Sequence, residues 1–239
     1  MKNSEIIKKS KSLLKSNYGK VMFPYFITYF IIGLFINSQD LFIIILNIAE
    51  VESEIAFQIT GIVSPIIYLI VFSCLSIGLA SFSLSIANKQ EIRSNKLFEG
   101  FKIIPKATAI GLIQSIITLI GFVLLIIPGI ILSLMCSQVY YIAKKNPDLD
   151  VIEVFKKSFQ LMKGNKWQLF LLNLRYALFF LLSFFTLFIW NLWLIPQFSV
   201  AYALFHEKIS NEYTDYVAPS LGLEPRTNRL TVYCSNQLS

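Results

Sequence analysis

The sequence predicts an all-α protein: a polytopic membrane bundle of six transmembrane helices in three hairpins, each preceded by a basic amphipathic helix at the interface. Two observations support this fold class. Hydrophobic residues make up 55% of the chain and charged residues only 15%, well below the charged share of a soluble domain. Seventeen of the 21 Lys and Arg residues fall in three blocks, residues 1–20, 89–106 and 144–166, and the apolar stretches between these blocks carry none.

The positions of the basic blocks predict the topology. Cytoplasmic loops of membrane proteins collect Lys and Arg, so the three blocks should lie on one side of the membrane. An even number of crossings must then separate one block from the next. Together with the Lys-, Ile- and Asn-rich composition, this predicts a multi-pass protein of the bacterial cytoplasmic membrane with both termini in the cytoplasm.

The first hairpin is predicted from residues 21–37 and Gly61–Ala87. About 20 apolar residues are needed to cross the hydrocarbon core, which both segments can supply. The loop between them, residues 38–58, carries four acidic residues and no Lys or Arg, as expected on the opposite side of the membrane.

The second hairpin is predicted within residues 107–143. These 37 uncharged residues are too long for one crossing and barely enough for two. Pro128 removes a backbone donor and Gly129 permits an otherwise strained turn, so this pair is the predicted apex. A single tilted helix would place the third basic block on the wrong side, whereas a re-entrant hairpin keeps the charges consistent and remains open.

The third hairpin, residues 168–205, has a predicted break at residues 191–196. Trp190, Trp193 and Pro196 suit a turn at the membrane interface, which makes Pro196 another predicted apex. Arg175 is the formal charge that lies well inside a predicted span, about 12 Å from its start by helical rise. Its side chain either snorkels to the headgroups or faces the bundle, and with Asn173 it forms a candidate intramembrane polar site.

Three copies of one unit are predicted, at about residues 1–88, 89–145 and 146–208. Lys8-Lys9-Ser10 aligns without gaps with Lys156-Lys157-Ser158. In the third copy, Asp150 and Glu153 predict a capping box, and apolar residues follow at helical spacing. Such a helix should lie with its apolar face in the headgroups and its lysines toward phosphate. The predicted lipid-headgroup contacts are Lys8, Lys9, Lys15, Lys156, Lys157 and Lys163.

Several ordered runs resemble the DUF975 family of bacterial integral membrane proteins, and this resemblance covers residues 1 to about 208. A looser likeness, through the Pro128-Gly129 apex and the Lys-Gly-Asn helix end, is to membrane domains that accompany glycerophosphodiester phosphodiesterases. The resemblance implies an architecture and no specific function, and Arg175 departs from it. The runs that carry it are Leu97-Phe98-Glu99-Gly100-Phe101-Lys102, Ile126-Ile127-Pro128-Gly129-Ile130, Asn146-Pro147-Asp148-Leu149, Leu161-Met162-Lys163-Gly164-Asn165-Lys166-Trp167 and Leu192-Trp193-Leu194-Ile195-Pro196 with Ala203-Leu204-Phe205.

No motif in the sequence indicates chemistry. The single histidine, His206, is predicted to be a boundary residue at the end of the last span, and no cysteine pair, nucleophile motif or phosphate loop is present. We therefore expect no enzymatic activity, no cofactor and no metal. The basic residues flank apolar segments, so we expect anionic lipids, a membrane protein or a second copy as partners, and no nucleic acid.

The leading functional hypothesis is a non-enzymatic assembly, regulatory or envelope-related membrane factor. A small-molecule transporter or channel is the alternative, although ion-coupled carriers usually place acidic or histidine relays inside the membrane, and the predicted spans have none. Residues 209–220 are predicted to be a cytoplasmic extension. Residues 221–239 resemble antisense translation across a transfer RNA gene and are predicted to be a non-native, frameshifted tail.

Overall fold

The computed structural model describes residues 2–15, 18–36, 48, 53–186 and 190–217. Every regular element of these ranges is helical, which confirms the predicted all-α class. The elements are α1 (Asn3–Lys15), α2 (Tyr18–Ile36), α3 (Ser53–Ala87), a 3₁₀ helix (Ser94–Ile103), α4 (Ile104–Leu124), α5 (Ile126–Cys136), α6 (Val139–Lys145), α7 (Val151–Met162), α8 (Lys166–Leu182), a short 3₁₀ turn (Ser183–Thr186) and α9 (Asn191–Val217).

Three helical segments among the described residues are long and apolar enough to cross a membrane: Gly61–Ala87, Ser94–Leu124 and Ile126–Lys145. Helix α3 begins at Ser53, so the end of the predicted loop 38–58 is helical. Most of that loop and the predicted tail, residues 221–239, lie outside the described residues. At the other boundary, α9 continues to Val217 and Ile209 is buried, so the helix runs through the predicted start of a cytoplasmic extension.

The second hairpin turns at Leu125, three residues before the predicted apex. Leu125 is extended (φ −171°, ψ 159°) between α4 and α5, whereas Pro128 and Gly129 lie in the first turns of α5. A proline in the first turn of a helix loses no backbone hydrogen bond, because the N–H groups there have no partner within the helix. A Cβ on Gly121 would come within 2.9 Å of the Gly129 Cα. Gly121 and Gly129 therefore allow α4 and α5 to approach closely, and Gly129 does not form the turn itself.

Pro196 is also not at a turn. It lies inside α9, which begins at Asn191, so residues 191–196 are helical and the predicted break does not fall there. The proline is near the N-terminus of the helix, where the missing donor costs a single bond to the carbonyl four residues earlier. The connection between α8 and α9 must therefore be made before Asn191.

Burial divides the molecule into two ends. At the packed end, residues 73–87, 134–145 and 194–209 form most of the core. At the apolar end, residues 61–72, 112–131, 178–184 and 190–193 carry many exposed large hydrophobic side chains. Exposed apolar surface of this extent needs a non-aqueous environment or a partner.

The leading elements of the second and third predicted repeats pack against the last helix of the repeat before them, and the leading helix of the first repeat packs against the last helix of the third. The 3₁₀ helix lies on α3, α7 lies on α6, and α1 lies on α9. The first and third repeats also correspond in detail. The number of residues from the start of α1 to the start of α7 equals the number from the start of α2 to the start of α8. Ser10 and Ser158, which align in sequence, are both fully buried. Three final helices, α3, α6 and α9, consequently meet at the centre of the packed end.

Candidate functional site

The apolar faces of the basic helices are covered by protein. In α1, Ile6 and Leu14 are completely buried, and in α7 the same is true of Val154 and Met162. The predicted capping box of α7 is present, with the Asp150 backbone N–H donating to the Glu153 carboxylate at 3.1 Å. The sequence therefore identified the helix and its buried face, but that face packs on neighbouring helices and not in the lipid headgroups. Amphipathicity alone does not distinguish these two environments.

Most of the predicted headgroup lysines are exposed, with one exception. Lys157 is half-buried, and its ammonium donates to the Asn146 side-chain oxygen at 3.2 Å. Burial lowers the pKa of Lys157, and the nearby charge of Lys145 lowers it further. Lys157 thus joins α7 to the end of α6 through Asn146. The exposed lysines of the predicted set are Lys8, Lys9, Lys15, Lys156 and Lys163.

The three central helices are joined at one point by a polar cluster. Glu207 of α9 accepts from the Lys145 ammonium at 2.7 Å and from the Asn88 side-chain amide at 3.1 Å. Lys145 is the last residue of α6, and Asn88 directly follows α3. Each predicted repeat therefore contributes one residue to this cluster, which we call the axial cluster.

His206 lies beside the axial cluster and is only 1% exposed. Its Nδ1 is 3.1 Å from the Gln138 side-chain oxygen, and its ring stacks on Tyr141 with 5.2 Å between centroids. Because the amide oxygen can only accept, Nδ1 carries the proton. Nε2 is buried and finds no hydrogen-bond partner among the described residues. The sequence analysis expected a boundary residue at the end of the last span, whereas the structure shows that His206 is part of the protein core. The hydrophilic residues that follow His206 gave no indication of this burial.

Burial, together with the positive charges of Lys145 and Lys157, lowers the pKa of His206 to about 3. The imidazole is consequently neutral throughout the physiological range. With Gln138 fully buried and Tyr141 8% exposed, the group has no open face for a substrate. Within the part of the chain that the structure describes, no three His, Cys, Asp or Glu residues are grouped to hold a metal ion.

A second ion pair anchors the 3₁₀ helix. Glu99 accepts from the Lys144 ammonium at 2.7 Å and from the Ser81 hydroxyl, and Lys96 donates to Ser85 at 2.6 Å. Ser81 and Ser85 lie one turn apart on α3. The small residues of this helix therefore allow the 3₁₀ helix to pack closely against it. Gly78 lies on the same surface, directly beneath the backbone of the 3₁₀ helix.

Asn173 and Arg175 do not form a common site. Arg175 is exposed on the outer face of α8, whereas Asn173 is half-buried and lies beside the Tyr202 hydroxyl. The Asn173 side-chain oxygen is buried, without a hydrogen-bond partner among the described residues. Side chains two residues apart on a helix point in different directions, so helix geometry separates this predicted pair.

A groove of about 410 Å³ opens between α3, α4 and α6, close to the apolar end. Polar groups line an otherwise apolar wall, and the Gln114 side-chain oxygen is buried without a partner among the described residues. The sequence analysis did not single out Gln114, because one amide in an apolar helix is a weak signal. The lining consists of Phe72, Gly111, Gln114, Ser115, Thr118, Leu119, Phe122 and Tyr140.

A comparison with protein families finds one match, over residues 4–213, to the model described as "Protein of unknown function (DUF975)". The matched range includes every residue of the axial cluster. Neither the curated proteins nor the solved structures contain a match.

Proposed function

The chain belongs to the DUF975 family, and we propose that it is a non-enzymatic membrane scaffold, an assembly, regulatory or envelope-related factor that acts by contacting lipids and membrane proteins. The proposed location is the bacterial cytoplasmic membrane. Six helices cross it as three hairpins, with both termini on the cytoplasmic side. The clustering of basic residues at the packed end supports this orientation, since Lys and Arg accumulate on the cytoplasmic side.

The observation that supports this proposal is that the polar groups at the centre of the packed end are closed off by other side chains. Glu207 is occupied by Lys145 and Asn88, and His206 is enclosed by Gln138 and Tyr141. Catalytic groups must reach a substrate, and relay groups in carriers usually contact a water-filled path. The polar groups of the axial cluster instead hold helices together.

The apolar end supports an action through contacts. Exposed hydrophobic side chains on this scale are typical of surfaces that face lipid or another protein. Arg175 adds a charge to the outer face of α8, where an anionic headgroup or a partner's carboxylate would neutralise it. The occupant of this surface is thus a membrane component: anionic lipid, another membrane protein or a second copy.

Native mass spectrometry of protein extracted gently from its own membrane tests this function. The chain should end after Val217, because truncation after residue 208 would cut α9 beside the buried Ile209. We expect a retained second polypeptide, either a different protein or another copy. Protein that carries neither a partner nor bound lipid would contradict the proposal.

A transporter or channel is the second candidate, and the groove at Gln114 favours it. Polar groups within a span often line a solute path. Solute flux into proteoliposomes that is lost on Gln114→Leu would support transport. The control is Gln168→Leu, a change on α8 outside the groove that removes the hydrogen bond from Lys208 at 2.5 Å.

A further inference from the structure

A second groove, of about 480 Å³, lies at the packed end between α1 and the segment that follows α3. Its floor is apolar and its rim is polar. Lys9 and Ser12 come from one turn of α1, whereas Lys89 and Gln90 come from the other wall. The lining residues are Lys9, Ser12, Leu13, Ile86, Lys89, Gln90 and Ile92.

The lining of this groove carries formal charge of one sign only. Its lining contains two lysines and no acidic residue. Neither lysine forms an ion pair with another described residue, and the nearby Glu91 is paired with Arg93 at 2.6 Å. Gln90 accepts from Lys96 through its oxygen at 3.5 Å, so its NH₂ group remains available to donate. The rim thus offers two cations and an amide donor.

The repeat shows that this lysine position can take two roles. Lys9 aligns with Lys157, and Lys157 donates to Asn146 of its own chain. Lys9 is exposed instead and borders the groove. The aligned lysine thus forms a hydrogen bond within the chain in the third repeat, where it is Lys157. In the first repeat it is Lys9, which is exposed and free to contact an external anion.

We propose that this groove binds the headgroup of an anionic glycerophospholipid from the cytoplasmic leaflet, an inference that rests on the proposed membrane function. Lys9 and Lys89 hold the phosphodiester, and the Gln90 amide donates to the headgroup. The apolar floor, formed by Leu13, Ile86 and Ile92, receives the glycerol ester and the first acyl carbons. Free phosphate would satisfy the lysines but leave that floor in water, so the combined lining favours a lipid over a soluble anion.

Native mass spectrometry of the purified full chain in detergent tests the site. The probes are dihexanoylphosphatidylglycerol, dihexanoylphosphatidylcholine and inorganic phosphate. We expect the chain to prefer phosphatidylglycerol to both other probes. Each lysine near an anionic headgroup contributes about fivefold in affinity, so K9Q/K89Q should weaken phosphatidylglycerol binding about 25-fold.

The matched control is K8Q/K11Q, which removes the same charge from the exposed face of α1 outside the groove. It should leave the affinity within about twofold. Equal losses in both double variants, or inorganic phosphate binding as tightly as the lipid, would overturn the lipid site. Unfolding temperatures of both variants show whether the fold is intact. A partner still retained in the native extract would preserve the proposed function even if the lipid site failed.

Discussion

Lys145 and Glu207 form the ion pair that joins α6 to α9, with 2.7 Å between the ammonium nitrogen and the carboxylate oxygen. Their side chains are 29% and 17% exposed, so water screens the pair only partly. Asn88 extends the contact to α3. One carboxylate thus connects the final helices of all three predicted repeats.

Breaking this ion pair should destabilise the fold. We expect Lys145→Met and Glu207→Gln each to lower the free energy of unfolding by about 1–3 kcal/mol, because each leaves a partly buried partner unpaired. The double variant should lose less than the sum, with a coupling energy of about 1 kcal/mol. Unfolding of the wild type, the two single variants and the double variant in mixed detergent micelles measures this double-mutant cycle. The pair Lys208–Glu212, at 3.6 Å with an exposed carboxylate, is the control and should couple by under about 0.5 kcal/mol. Equal coupling in both cycles would contradict the assigned role.

His206 should make stability depend on pH. Its pKa is near 3 in the folded protein and about 6.5 when unfolded, so only the unfolded chain takes up the proton between these values. Stability should therefore be complete above about pH 6.5 and fall as the pH decreases, by on the order of 1 kcal/mol per unit. Unfolding of wild type and His206→Asn between pH 5 and 7.5 measures this slope. The slope should be smaller in the variant, and identical slopes would show that His206 is accessible to protons in the folded state.

Gly78 should tolerate no larger side chain. A Cβ at this position would overlap the Leu97 carbonyl, and backbone cannot move aside as a flexible side chain can. We expect Gly78→Ala to cost about 2–3 kcal/mol of unfolding free energy and to loosen the 3₁₀ helix, seen as faster amide hydrogen exchange there. The control on the same helix is Gly61→Ala, which meets nothing within 4 Å and should be neutral or stabilising by up to about 1 kcal/mol. Similar losses in both variants would mean that glycine packing is not the cause.

The α4–α5 hairpin should reach the far side of the membrane. Ile126 is 70% exposed beside the turn, whereas the native Cys74 and Cys136 are buried. In a background with Cys234→Ser, we expect Ile126→Cys to react with an impermeant maleimide added outside intact spheroplasts. Lys163→Cys should react only after permeabilisation. Labelling of Ile126→Cys from the cytoplasmic side alone would instead indicate a re-entrant hairpin.

Errors in the predicted turns have a common physical cause. Proline and glycine mark positions where backbone freedom is unusual, but a proline is also accepted early in a helix and a glycine also permits close packing. At Pro128 and Pro196 the helix had already begun, and Gly129 faces Gly121 across the hairpin. The turn at Leu125 has no residue that identifies it from sequence.

The sequence by itself determined the helical class, the apolar segments, the apolar face of α7 and the family, because composition and periodicity are properties of neighbouring residues. It did not determine what that face packs against. Glu207, Lys145 and Asn88 are far apart along the chain, as are His206 and Gln138, and their contacts exist only because three final helices converge. Whether a lysine such as Lys9 or Lys157 faces an external anion or its own chain also depends on which helix end lies beside it, and only the tertiary structure decides that.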